Sequence, residues 1–317
     1  MVKLVLIVKM NCSLFINEWG AFLGEKKMSE SRRPLVSICI PAYNNADYIC
    51  ETLDTVMNQT YENIELVVVD DGSKDNTWNV INKYKEEYEA KNPDTSKIIR
   101  LYKNEKNLGM AGNWNRALEL CTGEYLKLIC ADDLMDENLT EREVAILEEH
   151  ADVVCVSSDT QFIDLNGKKK GQYKRYKKTG VVDGIEAVRS CVFTRDKLGA
   201  PVANLFRRTV YEQVGGFDPS FIYIIDYDFY MRVYCAGKVF IIHEPLNFFR
   251  IRNDSNTGQV LGGDKGAIYI GEHRRLVTKI SKILGLKSWQ IELSVIIRRM
   301  LSFAGNIYLR LTVPKEA

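Results

Sequence analysis

From residue 34 onward, short unbroken apolar runs alternate with segments whose apolar residues recur every three or four positions. "LVSICI" (35–40) reads as a strand stopped by Pro41. Ile49, Leu53, Val56 and Met57 then mark one face of an amphipathic helix. "IELVVV" (64–69) is a second strand, followed by a helix carrying Trp78 and Ile81 that Asp75 can N-cap. "KIIRLY" (97–102), the helix "NWNRALELC" (113–121) and "YLKLIC" (125–130) repeat the alternation. Thr140 and Glu143 have capping-box spacing at the start of another helix through Val144 and Leu147, and "DVVCVS" (152–157) is a fifth strand. Continuous apolar strands separated by helices predict a Rossmann-like, mostly parallel α/β sheet with helices on both faces.

Beyond residue 158 the regularity fades. "LNGKKKGQYKRYKK" (165–178) is basic and opens on a hairpin-like turn; it reads as a solvated loop or ribbon. A helix returns at "RRTVYEQVGGFD" (207–218) and a short strand at "KVFII" (238–242). The tail is helical. Leu293, Ile296, Ile297, Met300, Leu301 and Ala304 form one stripe, with Arg298, Arg299 and Arg310 as a basic counterface. The expectation is that this stripe packs on the main domain. The functional alternative is peripheral attachment to an anionic membrane surface through a basic amphipathic helix. Residues 1–27 precede Met28, a plausible start, and are expected to be a mis-called start or an extension.

Composition narrows the classes. The hydrophobic fraction of 46% supports a sizeable core in 317 residues. Lys+Arg 43 against Asp+Glu 42 argues against nucleic acid as a partner. Eight cysteines without a C-x-x-C pair read as reduced residues, hence a cytoplasmic protein. The three histidines are far apart and suggest neither a zinc site nor a Ser–His–Asp triad. No apolar run is long enough to span a bilayer.

The chemistry concentrates where strands end. Asp70 and Asp71 close the second apolar run, Asp132 and Asp133 follow the fourth, and Pro41, Tyr43 and Asn44 follow the first. Ligands of such sheets bind outside the carboxyl ends of the strands. One Asp pair usually means a turn or cap. Two pairs on one edge suit Mg²⁺ or Mn²⁺ with phosphate oxygens completing the shell. Tyr43 could stack on a base. No P-loop and no G-x-G-x-x-G turn is present.

"VSICIPAYNNADYICETLDTVMNQTYENIELVVVDDGSKDNT", "NLGMAGNWNRALELCTGEYLKLICADD", "GAPVANLFRRTVYEQVGGFD" and "YIIDYDFYMRV" together resemble the family-2 glycosyltransferases, over roughly residues 34–256. The resemblance implies the A-type glycosyltransferase fold and inverting transfer from a nucleotide diphosphate sugar to a glycan or lipid-linked acceptor, with Mn²⁺ or Mg²⁺. It places Pro41, Tyr43, Asn44 and Asp71 on the nucleotide, with Asp71 contacting the base. It places Asp132 on the ribose side, Asp133 on the metal and Asp226 as catalytic base. Arg250, Arg252 and Ser255 fall where the family has a segment closing on the diphosphate. Two positions depart from the pattern: Cys130 and Ile225 stand where acidic residues are frequent. The implied division is an extension (1–33), a transferase domain (34–260, with nucleotide-sugar half 34–157 and acceptor half 158–260) and a helical tail (261–317). Cell-envelope polysaccharide or lipopolysaccharide synthesis is the expected setting, in the cytoplasm or at the inner face of the membrane. Two rival readings are a non-catalytic nucleotide-sugar binder and a Mg²⁺-dependent sugar nucleotidyltransferase.

Overall fold

The computed structural model describes residues 33–252 and 265–302, and the backbone of its last helix to Thr312. Residues 1–27 and Ser255 lie outside the described residues, as do the side chains of Ala304 and Arg310.

The sheet is built first from the unbroken apolar runs. Strands β1 (Val36–Ala42), β2 (Ile64–Asp70), β3 (Ile98–Lys103) and β4 (Tyr125–Leu128) lie side by side in the order β3-β2-β1-β4, all parallel. Every residue of β1, β2 and β4 is buried. Helices α1 (Ile49–Met57), α2 (Thr77–Lys91), α3 (Gly109–Glu119) and α4 (Leu139–Glu149) connect or flank these strands. The α1 stripe Ile49, Leu53, Val56 and Met57 is buried as its spacing predicts.

The second half extends the same sheet. β9 (Asn204–Arg207) runs antiparallel between β4 and β6 (Val153–Ile163), and β10 (Lys238–Arg250) lies parallel to β6. The short strands β5 (Leu134–Met135), β7 (Lys169–Tyr173) and β8 (Gly180–Asp183) pair antiparallel with β10, β6 and β10. The turn from Asp164 to Lys168 is the hairpin its sequence suggests, with Gly167 at φ 73. β6 and β10 run 11 and 13 residues, well past the apolar runs that announce them. Their extensions bury polar side chains that find partners in the sheet. Asn247 Nδ2 donates to Ser158 O, Ser158 Oγ and Asp159 O, and Asp159 Oδ1 accepts from Arg175 N.

Two capping expectations change. Thr140 lies inside α4, where its N and Oγ1 both donate to Gln59 Oε1. Glu143 turns inward and binds Lys127 Nζ at 2.9 Å, so no capping box forms. Asp75 accepts from Thr77 N and Oγ1 one residue before the N-cap, as a turn rather than a cap.

Helices α5 (Gly184–Phe193), α6 (Arg208–Val214) and α7 (Ile225–Cys235) cover the second half, and α8 (Gly266–Leu284) and α9 (Ser288–Thr312) form a C-terminal hairpin. Leu35–Ala317 constitute one compact unit. The tail stripe does not pack as expected. Leu293, Ile296, Met300 and Leu301 are exposed, whereas Ser294, Val295 and Arg298 are buried. Arg298 decides the orientation: its Nη2 donates to Cys191 O at 3.0 Å, and its guanidinium lies over the Tyr227 ring. The seven described cysteines are all free.

The Lys127–Glu143 pair is fully buried and ties β4 to α4, with Lys127 Nζ also donating to Val202 O. Burial pushes the Glu143 carboxyl up to about 7 despite the lysine. Lys127→Met should therefore destabilise the fold by roughly 3–5 kcal/mol at pH 8, where Glu143 is left as an unpaired buried charge. At pH 5 the loss should be much smaller, because a carboxyl whose folded pKa is raised binds its proton there at little cost. Urea unfolding of wild type and mutant at both pH values checks this.

Candidate active site

Three adjacent parallel strands deliver the polar groups to one edge. The β1 register pairs Pro41 with Val69 and Ala42 with Asp70, and Asp71 N donates to Ala42 O. On the other side of β1, Ile129 N donates to Cys39 O, which places Cys130–Asp133 at the same level. The loops after β1 and β2 are latched by short side chains. Asn44, at φ 53, donates from its N to Ser73 Oγ and accepts from Lys74 N, and Asn45 N donates to Thr77 Oγ1. Pro41 is buried in the strand. Tyr43 stands on the surface, 40% exposed and open to a planar ligand.

Asp71 is buried at the mouth of this edge. Its Oδ1 accepts from Asn104 Nδ2 (2.6 Å) and Leu108 N (2.8 Å), and its Oδ2 from Gly109 N (3.0 Å). The carboxylate thus sits at the start of α3, a role the motif alone did not reveal. A carboxylate has about four lone-pair sites, so capacity for a base N–H remains.

Asp132 and Asp133 differ in setting. Asp133 is buried; its Oδ1 accepts from Arg250 N at 3.1 Å, and its Oδ2 is buried without a hydrogen-bond partner. Asp132 is half-buried and pairs with Arg252 Nη1 at 3.3 Å. Burial raises the carboxyl pKa of both, and for Asp133 the neighbouring Asp132 raises it further. The Cys130 thiol is pushed well up by burial and then by Asp133, Asp132 and Asp226 in turn. The charge of Asp226, distant in sequence, thus acts on the same thiol as those of Asp132 and Asp133. No group of three or more His, Cys, Asp or Glu suited to a metal ion occurs among the described residues. The two carboxylates and the unmatched Oδ2 nevertheless fit a divalent ion whose other ligands come from a diphosphate.

The two arginines divide. Arg250 is buried, with Nε donating to Asp132 O (2.9 Å), Nη1 to Asp164 O and Leu165 O, and Nη2 to the Glu51 carboxylate. It holds the Asp132–Asp133 segment against β10. Arg252 lies over the Tyr48 ring, 4.7 Å from its centroid, beside Asp132.

Asp226 opens α7, half-buried, with Oδ1 accepting from Tyr227 N. Burial, then the charge of Asp196, raises its carboxyl to about 6. Asp228 has a different task. It is buried and bonds Arg232 and Lys279, so it is a structural ion pair rather than a cap. No motif or spacing marks Glu272 on α8. Its two carboxylate oxygens accept from Ile222 N (2.7 Å) and Tyr223 N (2.9 Å), bracing the loop that leads into Asp226.

Asp71→Ala leaves the donors of Asn104, Leu108 and Gly109 without their acceptor. It should cost about 1–3 kcal/mol of stability in chemical denaturation, in addition to any loss of nucleotide affinity.

Residues 37–215 match the family model described as Glycosyl transferase family 2. An uncharacterised glycosyltransferase of Rickettsia typhi is 30% identical over 233 residues, 72% of this chain and 67% of its own. The chondroitin synthase of Escherichia coli is 26% identical over 85% of this chain, which spans only 36% of that longer protein. Among solved structures, S. aureus TarS 1–349 in complex with UDP-GlcNAc superposes with a TM-score of 0.65 at 20% identity, covering 89% of this chain and 76% of TarS. A mannosyltransferase from Pyrobaculum calidifontis in complex with GDP-Man and Mn²⁺ does so with a TM-score of 0.60 at 19% identity, covering 98% of this chain and 86% of its own. With the parallel strand edge and its carboxylates, these matches place the chain in glycosyl transferase family 2, as a glycosyltransferase of the A-type fold.

Proposed function

We propose that this glycosyltransferase moves a sugar from a nucleoside diphosphate sugar to an acceptor hydroxyl with inversion, in polysaccharide, lipopolysaccharide or other cell-envelope glycan synthesis. The observation that carries this reading is the Asp132–Asp133 pair at the carboxyl end of the sheet, held by Arg250 and Arg252, with Asp133 Oδ2 buried and unpartnered.

Tyr43, Asn44 and Asp71 line the end of the strand edge where a base and ribose fit. Asp133 Oδ2 faces no protein partner and is the ligand for Mn²⁺ or Mg²⁺, with Asp132 beside it on the ribose side. A bound divalent ion supplies charge neutralisation for the departing diphosphate. Arg252, next to Asp132, adds positive charge on the same side. Arg250 serves the site through the backbone it holds. Asp226 accepts the proton of the acceptor hydroxyl as that oxygen attacks the anomeric carbon from the face opposite the leaving diphosphate. Ile225 stands beside Asp226 in place of a second acid, and the pKa raised by burial and by Asp196 suits a base that must still be ionised near neutrality.

Two outcomes test the assignment. Asp226→Asn should lower kcat by roughly 10²–10⁴-fold. Its nucleotide Kd should stay within about twofold, because less than about 0.4 kcal/mol of donor binding is lost. Asp228→Asn serves as a control expected to act on stability; near-normal kcat in Asp226→Asn overturns the base. The wild-type rate should rise with pH through about 6, because the proton-accepting form of Asp226 is populated only above its pKa. NMR of the product's anomeric proton reads the stereochemistry.

A further inference from the structure

Helix α9 presents two opposite faces. Ser294, Val295 and Arg298 point into the protein. Trp289, Leu293, Ile296 and Met300 stand at 62%, 40%, 52% and 66% exposure. Spaced by four, three and four, they form one continuous outward ladder. The neighbouring helix adds exposed Ile268 and Ile283. An apolar ladder of this size left in water needs a partner.

The charge around it names the partner. Between Lys265 and Ala317 there are ten Lys or Arg and three Asp or Glu, whereas the preceding part of the chain is acidic, with 33 against 39. Some of these cations are engaged inward: Arg298 is buried, and Arg275 and Lys279 hold the loop at Ser220 and Asp218. Arg274, Lys282, Lys287 and Arg299 are exposed. Arg299 immediately precedes Met300 and Lys287 lies two residues before Trp289, so cations flank the ladder. Arg274, paired with Glu292, and Arg299 also line a groove of about 410 Å³ between α8 and α9, with Gly266, Ala267, Ile270, Gly271 and Ser302. The Arg299 guanidinium, beside the Arg274–Glu292 pair and over small and apolar residues, suits a phosphate head group whose acyl chains lie on the ladder. No helix among the described residues is long and apolar enough to cross a membrane, so the contact is in the plane of the surface.

We propose that the outward face of the α8–α9 hairpin docks this protein on an anionic lipid bilayer. The same hairpin braces Asp226 through Glu272, so docking holds the proton-accepting side of the cleft in a fixed relation to the bilayer. The surface is independent of the donor assignment and stands or falls by itself.

The test is sedimentation of the full chain with vesicles of phosphatidylcholine alone or of phosphatidylcholine mixed with phosphatidylglycerol, at low and high salt. Binding should be at least about tenfold tighter to the anionic vesicles and weaken as salt screens the flanking cations. The Trp289→Ser/Met300→Ser variant, changed only at exposed positions, should lose it by at least about tenfold while its melting temperature stays near wild type. Arg299→Gln should weaken binding to anionic vesicles alone. Equal binding to both vesicle types, or no binding to either, overturns the proposal. So does a concentration-dependent dimer abolished by the double substitution, which would assign the face to a second copy of the chain.

Discussion

The arrangement of this protein turns on the crowding of carboxylates at the carboxyl end of its sheet. Asp132 and Asp133 are adjacent, both are withdrawn from water, and Asp226 on α7 acts by its charge on the same Cys130 thiol. Burial raises all three carboxyls, and Asp132 raises that of Asp133 further, so the group is costly in an isolated fold. The surrounding chain is organised to hold it. Arg250 fixes the Asp132 carbonyl and, through its own backbone N–H, Asp133 Oδ1. The four parallel strands supply a rigid floor, and the loops after β1 and β2 are locked to one another by Ser73, Asn44 and Thr77. The cleft is therefore preorganised around negative charge, which is the condition for taking up a cation with its diphosphate.

Much of this was legible in the sequence because β1, β2 and β4 are buried on both faces and must read as unbroken apolar runs. The same logic located the Asp pairs at strand ends. What escaped was governed by polar partners rather than by periodicity. β9 is a four-residue strand wedged between β4 and β6, too short to announce itself. β6 and β10 continue through Ser158, Asp159 and Asn247, with Asn247 Nδ2 bonded to the β6 backbone and Asp159 Oδ1 to Arg175 N. Thr140 and Glu143 have the spacing of a capping box, yet a buried lysine on β4 and the Gln59 amide compete for them and win.

At the site, residue identity was more legible than residue role. Asp71 follows β2 at the strand end and Arg250 closes β10, and each has protein partners that the motif does not encode. Glu272, which braces the approach to Asp226, lies 46 residues downstream on a helix whose sequence reads only as amphipathic. The tail shows the limit of an apolar stripe as evidence of packing. Arg298 found a carbonyl and an aromatic ring in the interior, and the apolar side of α9 was left facing out.

The central claim is that the crowded carboxylates form a site for a divalent cation and a nucleoside diphosphate together. Calorimetric titration of UDP and GDP into the protein, with Mn²⁺ or with chelator, tests it most directly. The account predicts that one of the two nucleotides binds at least about tenfold more tightly with Mn²⁺, a difference of about 1.4 kcal/mol. It further predicts that Asp133→Asn erases that difference while the melting temperature shows the fold intact. Nucleotide affinity that is the same with and without the metal, or a metal dependence that survives in Asp133→Asn, would contradict it.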